Sequence, residues 1–160
     1  MSNVTPPQQG RRILVTGAAT GIGAAAARVL TEAGAEIAAT YHQTPPPDDL
    51  AITWLQCDAR DPDAVSAMVQ QAVEHLGGLD VLVNAAGLWQ AGVPGYIGAE
   101  EISFLLDTNV KATILTNQAA YAVMKGRDGQ DAKGGRIINF GSSEAVMGSP
   151  ISAEIGRAHV

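Results

Sequence analysis

Short apolar runs alternate along the chain with longer stretches in which apolar residues recur at helical spacing. The first run covers residues 13–15 and leads into Thr16 and Gly17, and an alanine-rich stretch over 24–33 follows it. Short β-branched runs predict buried strands, whereas apolar positions three and four residues apart predict one face of a helix. The start of the chain is therefore predicted to form a strand and then a helix.

The alternation of predicted strands and helices continues as far as residue 140. Further strands are predicted over residues 36–40, 52–57, 79–83 and 136–140. Asp61 before Pro62 is typical of a helix N-terminus, and the apolar face of that helix consists of Val65, Met68, Val69, Ala72, Val73 and Leu76. Gly77 is predicted to end it.

The last helical stretch covers residues 99–124 and is predicted to form two pieces. Its second piece carries an apolar stripe of Val110, Ile114, Tyr121 and Met124, which the polar residue Asn117 interrupts. Two members of the stripe, Tyr121 and Met124, are expected to lie in the core or at a subunit interface.

Strands that alternate with helices predict βαβ units and a parallel sheet covered on both faces. The expected fold class is α/β, a doubly wound parallel sheet that binds its ligand at the carboxyl ends of the strands. We expect a disordered polar N-terminus over residues 1–12 and one domain over residues 13–154, without internal repeats.

Composition narrows the function classes. The chain has 160 residues, of which 46% are hydrophobic and 16% charged, as in an ordinary globular domain. Its net charge of −6 argues against nucleic acid as a partner. Cys57 is the one cysteine, and the three histidines are not grouped as metal ligands, so neither disulfides nor a metal site is expected. Without a secretory leader or an apolar span, a cytoplasmic protein without membrane contact is predicted.

A glycine-rich turn lies between the first predicted strand and the first predicted helix. Residues 16–23 read TGAATGIG, with glycines at Gly17, Gly21 and Gly23. Glycines allow a tight turn and a close approach of backbone N–H groups to an anion, and the helix N-terminus supplies unpaired donors. The turn therefore predicts a phosphate-binding site.

The pattern TGxxxGxG resembles that of the short-chain dehydrogenase/reductase family, and four further segments fit this family in the same order. Asp58 follows the third predicted strand, and residues 84–87 (NAAG) resemble the NNAG motif with alanine as the second residue. Asn109 matches the family's helix asparagine, and residues 139–142 (NFGS) resemble the strand that delivers its catalytic serine, here Ser142.

The resemblance implies a Rossmann-type fold that binds NAD(P) and transfers a hydride between nicotinamide and a carbonyl or alcohol substrate. It implies catalytic roles for Ser142, which would orient the substrate oxygen, and for Asn109, which would hold a relay water. The residues implied to bind the cofactor are Gly17, Thr20, Gly21, Ile22, Gly23, Tyr41, Asp58, Ala59, Asn84, Ala85, Ala86 and Gly87. Relatives of this kind are expected to form homodimers or homotetramers.

Several of these residues also have a purely structural interpretation. Asn84 could close a turn, Asp58 could cap a loop and Asn109 could cap a helix. Ser142 and Ser143 could be ordinary turn serines.

The end of the second predicted strand bears on the choice of cofactor. An acidic residue there would bind the ribose hydroxyls of NAD and repel a 2′-phosphate. This chain has Tyr41 at that position and no acid before Asp48, which favours NADP. Thr20 occupies the place of the basic residue that often accompanies NADP, so NAD remains the alternative.

The family's acid/base tyrosine and its lysine are expected near positions 155 and 159, where this chain has Ile155 and His159. Residues 155–160 are the translation of ATC GGA AGA GCA CAC GTC, which resembles a sequencing adapter. We therefore expect native sequence to end at about Ala153 or Glu154, before the C-terminal elements of the fold. The alternative is a genuine, divergent C-terminus.

The predicted function is that of the N-terminal cofactor-binding part of an NAD(P)-dependent oxidoreductase, inactive by itself because the Tyr-x-x-x-Lys pattern is absent. Two alternatives are a non-catalytic nucleotide-binding module or redox sensor on the same fold, and a structural or interaction role without cofactor binding.

Overall fold

The computed structural model describes residues 7–90, 97–125 and 134–143, and within them five parallel strands form one sheet. The strands are β1 (Arg12–Thr16), β2 (Glu36–Tyr41), β3 (Thr53–Gln56), β4 (Val81–Asn84) and β5 (Arg136–Asn139). Their order in the sheet is β3-β2-β1-β4-β5, so the chain builds one half outward from β1 and then crosses over to build the other. This arrangement confirms the α/β, doubly wound prediction and places the switch point between β1 and β4.

The helices connect the strands as the periodicity predicts. They are α1 (Gly21–Glu32), α2 (Pro62–Leu76), α3 (Ala99–Leu106) and α4 (Ala112–Met124). The division predicted within residues 99–124 is a π-helical segment, Asp107–Lys111, which joins α3 to α4 without a loop. A wider turn of this kind inside a helix is common at functional sites.

The termini of α2 confirm their sequence interpretation. The Asp61 carboxylate accepts hydrogen bonds from the backbone N–H groups of Asp63, at 2.9 Å, and Ala64, at 3.3 Å. At the other end Gly77 adopts the left-handed conformation with φ of 71°, and its N–H donates to Val73. Both ends therefore satisfy backbone groups that the helix itself leaves unpaired.

Element boundaries differ from the prediction at several places. β3 and β4 are shorter than predicted, because Leu79 and Asp80 precede the ladder of β4 and Cys57 follows that of β3. The expected disorder of residues 1–12 is corrected for its last part: the N–H groups of Gln8 and Gly10 donate to the carbonyls of Ala33 and Gly34, and Arg12 begins β1. Residues 1–6 and the expected native end near Ala153 lie outside the described residues.

Two apolar layers cover the two faces of the sheet. Leu14 and Leu82 pack on one face with Val65 and Val69 of α2, and Ala120 of α4 joins this layer. On the other face Ile13 and Val15 of β1 pack with Val83 of β4 and Ala27 of α1. Alternate residues of one strand point to opposite faces, so a continuous apolar run serves both layers.

Cys57 belongs to the layer under α2 and is 7% exposed. Burial raises the pKa of its thiol to about 11. A neutral, buried thiol is chemically inert, so Cys57 contributes to the packing of this layer.

The amino ends of β1 and β4 are joined by an ion pair. Arg12 Nη2 lies 2.7 Å from Asp80 Oδ1, and Arg12 Nε donates to Asp80 Oδ2 at 3.0 Å. The backbone N–H of Arg12 donates to the same carboxylate, and Arg12 Nη1 donates to the Gly77 carbonyl. These hydrogen bonds from Arg12 lower the pKa of Asp80 to about 2.

Candidate functional site

The glycine-rich turn leaves β1 and enters α1 at the carboxyl edge of the sheet. Thr20 precedes α1 without a side-chain cap, and the first N–H that bonds back within this helix is that of Ala24, to the Thr20 carbonyl. The N–H groups of Gly21, Ile22 and Gly23 consequently have no partner inside the helix. Together with the positive end of the helix dipole they form a binding site suited to a phosphate.

Two of the glycines are required by close backbone approach. A Cβ atom on Gly17, whose φ is +62°, would lie 2.6 Å from the Cα of Ala86. One on Gly23 would lie 2.3 Å from the carbonyl oxygen of Gly17. The turn therefore packs directly against the residues that follow β4, and side chains would force the two apart.

A cavity of about 620 Å³ opens over the carboxyl ends of β1, β2, β3 and β4. It brings together most of the residues predicted to bind the cofactor, namely Gly17, Thr20, Gly21, Ile22, Tyr41, Asp58, Ala59, Ala85, Ala86 and Gly87. Two predicted residues lie outside this lining: Gly23 packs against the Gly17 carbonyl, and Asn84 lines a second, adjoining cavity. Sequence reasoning missed other lining residues, among them His42, Arg60 and Phe104.

A second cavity of about 410 Å³ adjoins the first and shares Ile22 and residues 85–88 with it. It brings the two predicted catalytic residues, Asn109 and Ser142, into one lining. The aromatic side chains of Trp89 and Phe140, both at least half exposed, form part of its wall. An elongated ligand could therefore occupy both cavities at once.

Asn84 links four elements rather than merely closing a turn. Its side-chain carbonyl accepts from the Thr16 hydroxyl at 3.2 Å, and its amide nitrogen donates to Asn117 Oδ1 at 2.8 Å and to Asn139 Oδ1 at 3.1 Å. The residue is 6% exposed. We call Thr16, Asn84, Asn117 and Asn139 the asparagine cluster.

Asn109 lies in the middle of the π-helical segment, so its interpretation as a helix cap is wrong. Its side chain pairs with the backbone of Leu88: Oδ1 accepts from the Leu88 N–H and Nδ2 donates to the Leu88 carbonyl, both at 2.9 Å. This double hydrogen bond fixes the chain after β4 where it lines both cavities. The relay role of Asn109 stays a prediction.

Asp58 orders the loop after β3, as its structural interpretation predicts, and it also lines the first cavity, while its contact with a cofactor stays a prediction. Its carboxylate accepts from the Arg60 N–H at 3.1 Å and pairs with the Arg60 guanidinium at 2.6 and 2.8 Å. These hydrogen bonds from Arg60 lower the pKa of Asp58 to about 2. The guanidinium also lies 5.1 Å from the centre of the Phe104 ring, which connects the loop to α3. The opposite charges two residues apart were the only sequence signal for this arrangement.

The apolar stripe predicted on α4 faces away from the core. Val110, Ile114 and Tyr121 are 43%, 50% and 62% exposed, whereas the buried face consists of Ala112, Thr116 and Ala120. Small residues allow α4 to pack closely on α2, so they occupy the core face instead of the large ones. The core interpretation of Tyr121 is wrong, and a subunit interface there stays a prediction. Met124 is partly buried against the core.

The described residues hold neither a cluster of metal ligands nor a membrane-spanning helix. No three His, Cys, Asp or Glu side chains within residues 7–90, 97–125 and 134–143 group as metal ligands. Over the same residues, no helix has the length and apolar character needed to cross a membrane.

Comparison with known proteins gives consistent matches. A family model described as short chain dehydrogenase matches residues 11–154. The chain is 32% identical over 152 residues to versicolorin reductase of Emericella nidulans, covering 88% of this chain and 55% of that relative. It is 31% identical over 157 residues to a 3-oxoacyl-[acyl-carrier-protein] reductase of Vibrio cholerae, covering 94% of this chain and 62% of that relative. The chain thus spans less than two thirds of the length of these two curated relatives.

Among solved structures, a short chain dehydrogenase from Burkholderia cenocepacia in complex with NADP superimposes with a TM-score of 0.80 at 35% identity. This superposition covers 94% of the present chain and 63% of the Burkholderia chain.

Proposed function

The chain belongs to the short-chain dehydrogenase family, and on this basis we propose that it binds a nicotinamide dinucleotide, NADP in preference to NAD. In the whole protein this cofactor would exchange a hydride with a carbonyl or alcohol substrate. The observation that carries the proposal is the contact of the glycine-rich turn with Ala86 beneath the open N-terminus of α1. Such a turn fits a pyrophosphate because the backbone N–H groups at the start of α1 have no partner inside the helix and its glycines carry no side chains.

The two adjoining cavities suggest how the ligand is divided between them. Asp58 and Ala59 would flank the adenine in the first cavity, and Tyr41 would face the adenosine ribose. Residues 85–87 line both cavities, so the ligand would extend past them from its adenosine end in the first cavity to its nicotinamide end in the second. In the second cavity Ser142 would orient the substrate oxygen, and Asn109 would organise a relay water.

The surroundings of Tyr41 support NADP as the preferred form. Tyr41 and His42 line the first cavity at the end of β2, and neither carries a carboxylate that would repel a 2′-phosphate. The Burkholderia relative was solved with NADP. The Asp58 carboxylate also lines this cavity, and its Oδ2 lies 3.7 Å from His42 Nε2. Its charge is balanced by the ion pair with Arg60.

Titration of the 160-residue chain with NADPH and with NADH, followed by nicotinamide fluorescence, tests this proposal. We expect saturable enhancement with both, at lower concentration for NADPH. The absence of both a fluorescence change and a rise in melting temperature would contradict cofactor binding, and equal affinities for NADPH and NADH would contradict the preference.

A second candidate function is binding without turnover. Ile155 and His159 stand where the family resemblance expects the acid/base tyrosine and its lysine, so the Tyr-x-x-x-Lys pattern is absent from these positions, and we expect negligible turnover. A longer homologous chain that carries a Tyr-x-x-x-Lys helix separates the two candidates. Activity in the longer chain supports the oxidoreductase, whereas binding without activity in both chains supports a nucleotide-binding module.

A further inference from the structure

The asparagine cluster has one defined direction of hydrogen bonding. The Thr16 hydroxyl accepts from the backbone N–H groups of Ala85, at 3.2 Å, and Ala86, at 3.1 Å. Two accepted bonds occupy the lone pairs of this oxygen, so its proton must be donated, and Asn84 Oδ1 receives it. The amide of Asn84 is therefore oriented with its oxygen towards β1 and its nitrogen towards α4 and β5.

Both N–H groups of Asn84 are then used. One reaches Asn117 on α4 and the other reaches Asn139, the last residue of β5. Because Asn84 is buried, a missing acceptor on either side would leave a polar hydrogen without a partner. The amide group of Asn84 thus connects α4 with the end of β5, in addition to the parallel ladder that joins β4 and β5.

The end of β5 leads directly into the second cavity. Asn139, Phe140, Gly141 and Ser142 all line it, opposite the turn that follows Asn84. We propose that Asn117 is a positioning residue: its side-chain oxygen, acting through Asn84, sets the end of β5 and with it the Ser142 side of the second cavity. This inference rests on the proposed function, in which that cavity receives the nicotinamide end of the cofactor.

Asn117 does not contribute to the buried face of α4. That face is formed by Ala112, Thr116 and Ala120, and the Thr116 hydroxyl donates within the helix to the Ala112 carbonyl. Asn117 itself is half-buried and lines neither of the two cavities. Its effect on a ligand must consequently pass through Asn84, which distinguishes it from a binding residue.

The variants Asn117→Leu and Asn117→Asp test the proposal. Leucine keeps a similar volume and favours the helix but offers no acceptor, whereas aspartate retains an oxygen for Asn84. Gln118→Leu is the matched control, since Gln118 is the next residue on α4 and is exposed.

Affinities for NADPH and for adenosine 2′,5′-bisphosphate are compared, because the second ligand lacks the nicotinamide half. We expect Asn117→Leu to weaken NADPH binding roughly fivefold to tenfold, as one unmade buried hydrogen bond does, and to leave the bisphosphate within about twofold. Asn117→Asp and Gln118→Leu should resemble the unsubstituted chain. An equal loss for both ligands would indicate a merely structural role and overturn the proposal, as would no loss for either.

Amide hydrogen exchange supplies a readout that does not depend on cofactor binding. Asn117→Leu should accelerate exchange in β5 and in residues 85–87, with β2 and β3 unchanged and the Gln118→Leu control unaffected. Unchanged exchange in β5 would overturn the positioning role. Failure of the unsubstituted chain to bind NADPH would instead refute the proposed function, and the exchange result would still decide the role of Asn117.

Discussion

Gly17 packs against the backbone of Ala86 so closely that a methyl group on Gly17 would lie 2.6 Å from the Ala86 Cα. One residue precedes α1 and the other follows β4, so this contact fixes the two sides of the first cavity against each other at the switch point of the sheet. A substitution that disturbs this contact is the most direct way to test whether it shapes the cofactor site.

Gly17→Ala should abolish or strongly weaken NADPH binding. Gly10→Ala is a matched control, because Gly10 has a similar φ of +68° but open space around its Cβ position. Both variants carry the left-handed strain of about 1–2 kcal/mol, and only Gly17→Ala also pushes against Ala86. We expect at least a roughly tenfold weaker affinity than in the control, measured by fluorescence titration. Equal affinities in the two variants would show that the contact does not shape the site.

Asp80→Asn should lower the free energy of unfolding by about 1–2 kcal/mol at neutral pH, since the ion pair with Arg12 is partly buried. The pKa of Asp80 is about 2 in the folded chain and about 4 when unfolded, so its contribution is complete above about pH 4. It is lost as the pH falls towards 2. Urea unfolding across this range should show the two chains converging, and a constant difference would contradict the assignment.

Asp49→Asn is the control for that measurement. Asp49 pairs with Arg28 at 3.1 Å on the exposed surface, where ion pairs contribute little. Its effect on the free energy of unfolding should be much smaller than that of Asp80→Asn.

Arg60→Met should raise the pKa of Asp58 from about 2 towards the ordinary value near 4, because the guanidinium is the main stabiliser of the carboxylate. Titration of the Asp58 carboxyl carbon by NMR measures this directly. Arg28→Met should leave the Asp58 resonance unchanged, since Arg28 pairs with Asp49 instead. A pKa of Asp58 that stays near 2 without Arg60 would show that another group stabilises the carboxylate.

Tyr41→Asp should reverse the preference for NADPH over NADH. A carboxylate at the end of β2 would accept hydrogen bonds from the ribose of NAD and repel a 2′-phosphate. We expect the ratio of the two affinities to change by at least roughly tenfold. Tyr41→Phe removes the hydroxyl without adding charge and should keep the preference. An unchanged ratio in Tyr41→Asp would place the 2′-phosphate elsewhere.

Local patterns predicted the individual strands, helices and turns well because the formation of each element depends mainly on residues near each other in sequence. The apolar run at residues 13–15 formed the central strand. Asp61 capped the start of α2 with its carboxylate, and Gly77 ended the helix because glycine adopts the left-handed conformation at low cost. The glycine-rich turn was recognisable for the same reason: its backbone geometry depends on residues next to each other in sequence.

The candidate site was only partly predictable because its contacts join distant residues. Asn117 was visible in the sequence as a polar interruption of an apolar stripe, but its partner Asn84 lies 33 positions away and is reached only when α4 packs on the sheet. The stripe itself was misleading, since the π-helical segment and the small residues of α4 place the large side chains outward. Phe104 could not be connected with Arg60 before α3 was placed beside the loop after β3.

The asparagine cluster also bears on the order in which the chain assembles. Without α4 and β5, the two amide hydrogens of Asn84 have only water as an acceptor, so Asn84 cannot be buried beside β1 without a cost in free energy. Docking of α4 and β5 together supplies both acceptors and removes that cost. The β1–β4 pair is therefore most stable once β5 has been added. We expect the two halves of the sheet to fold as one cooperative unit.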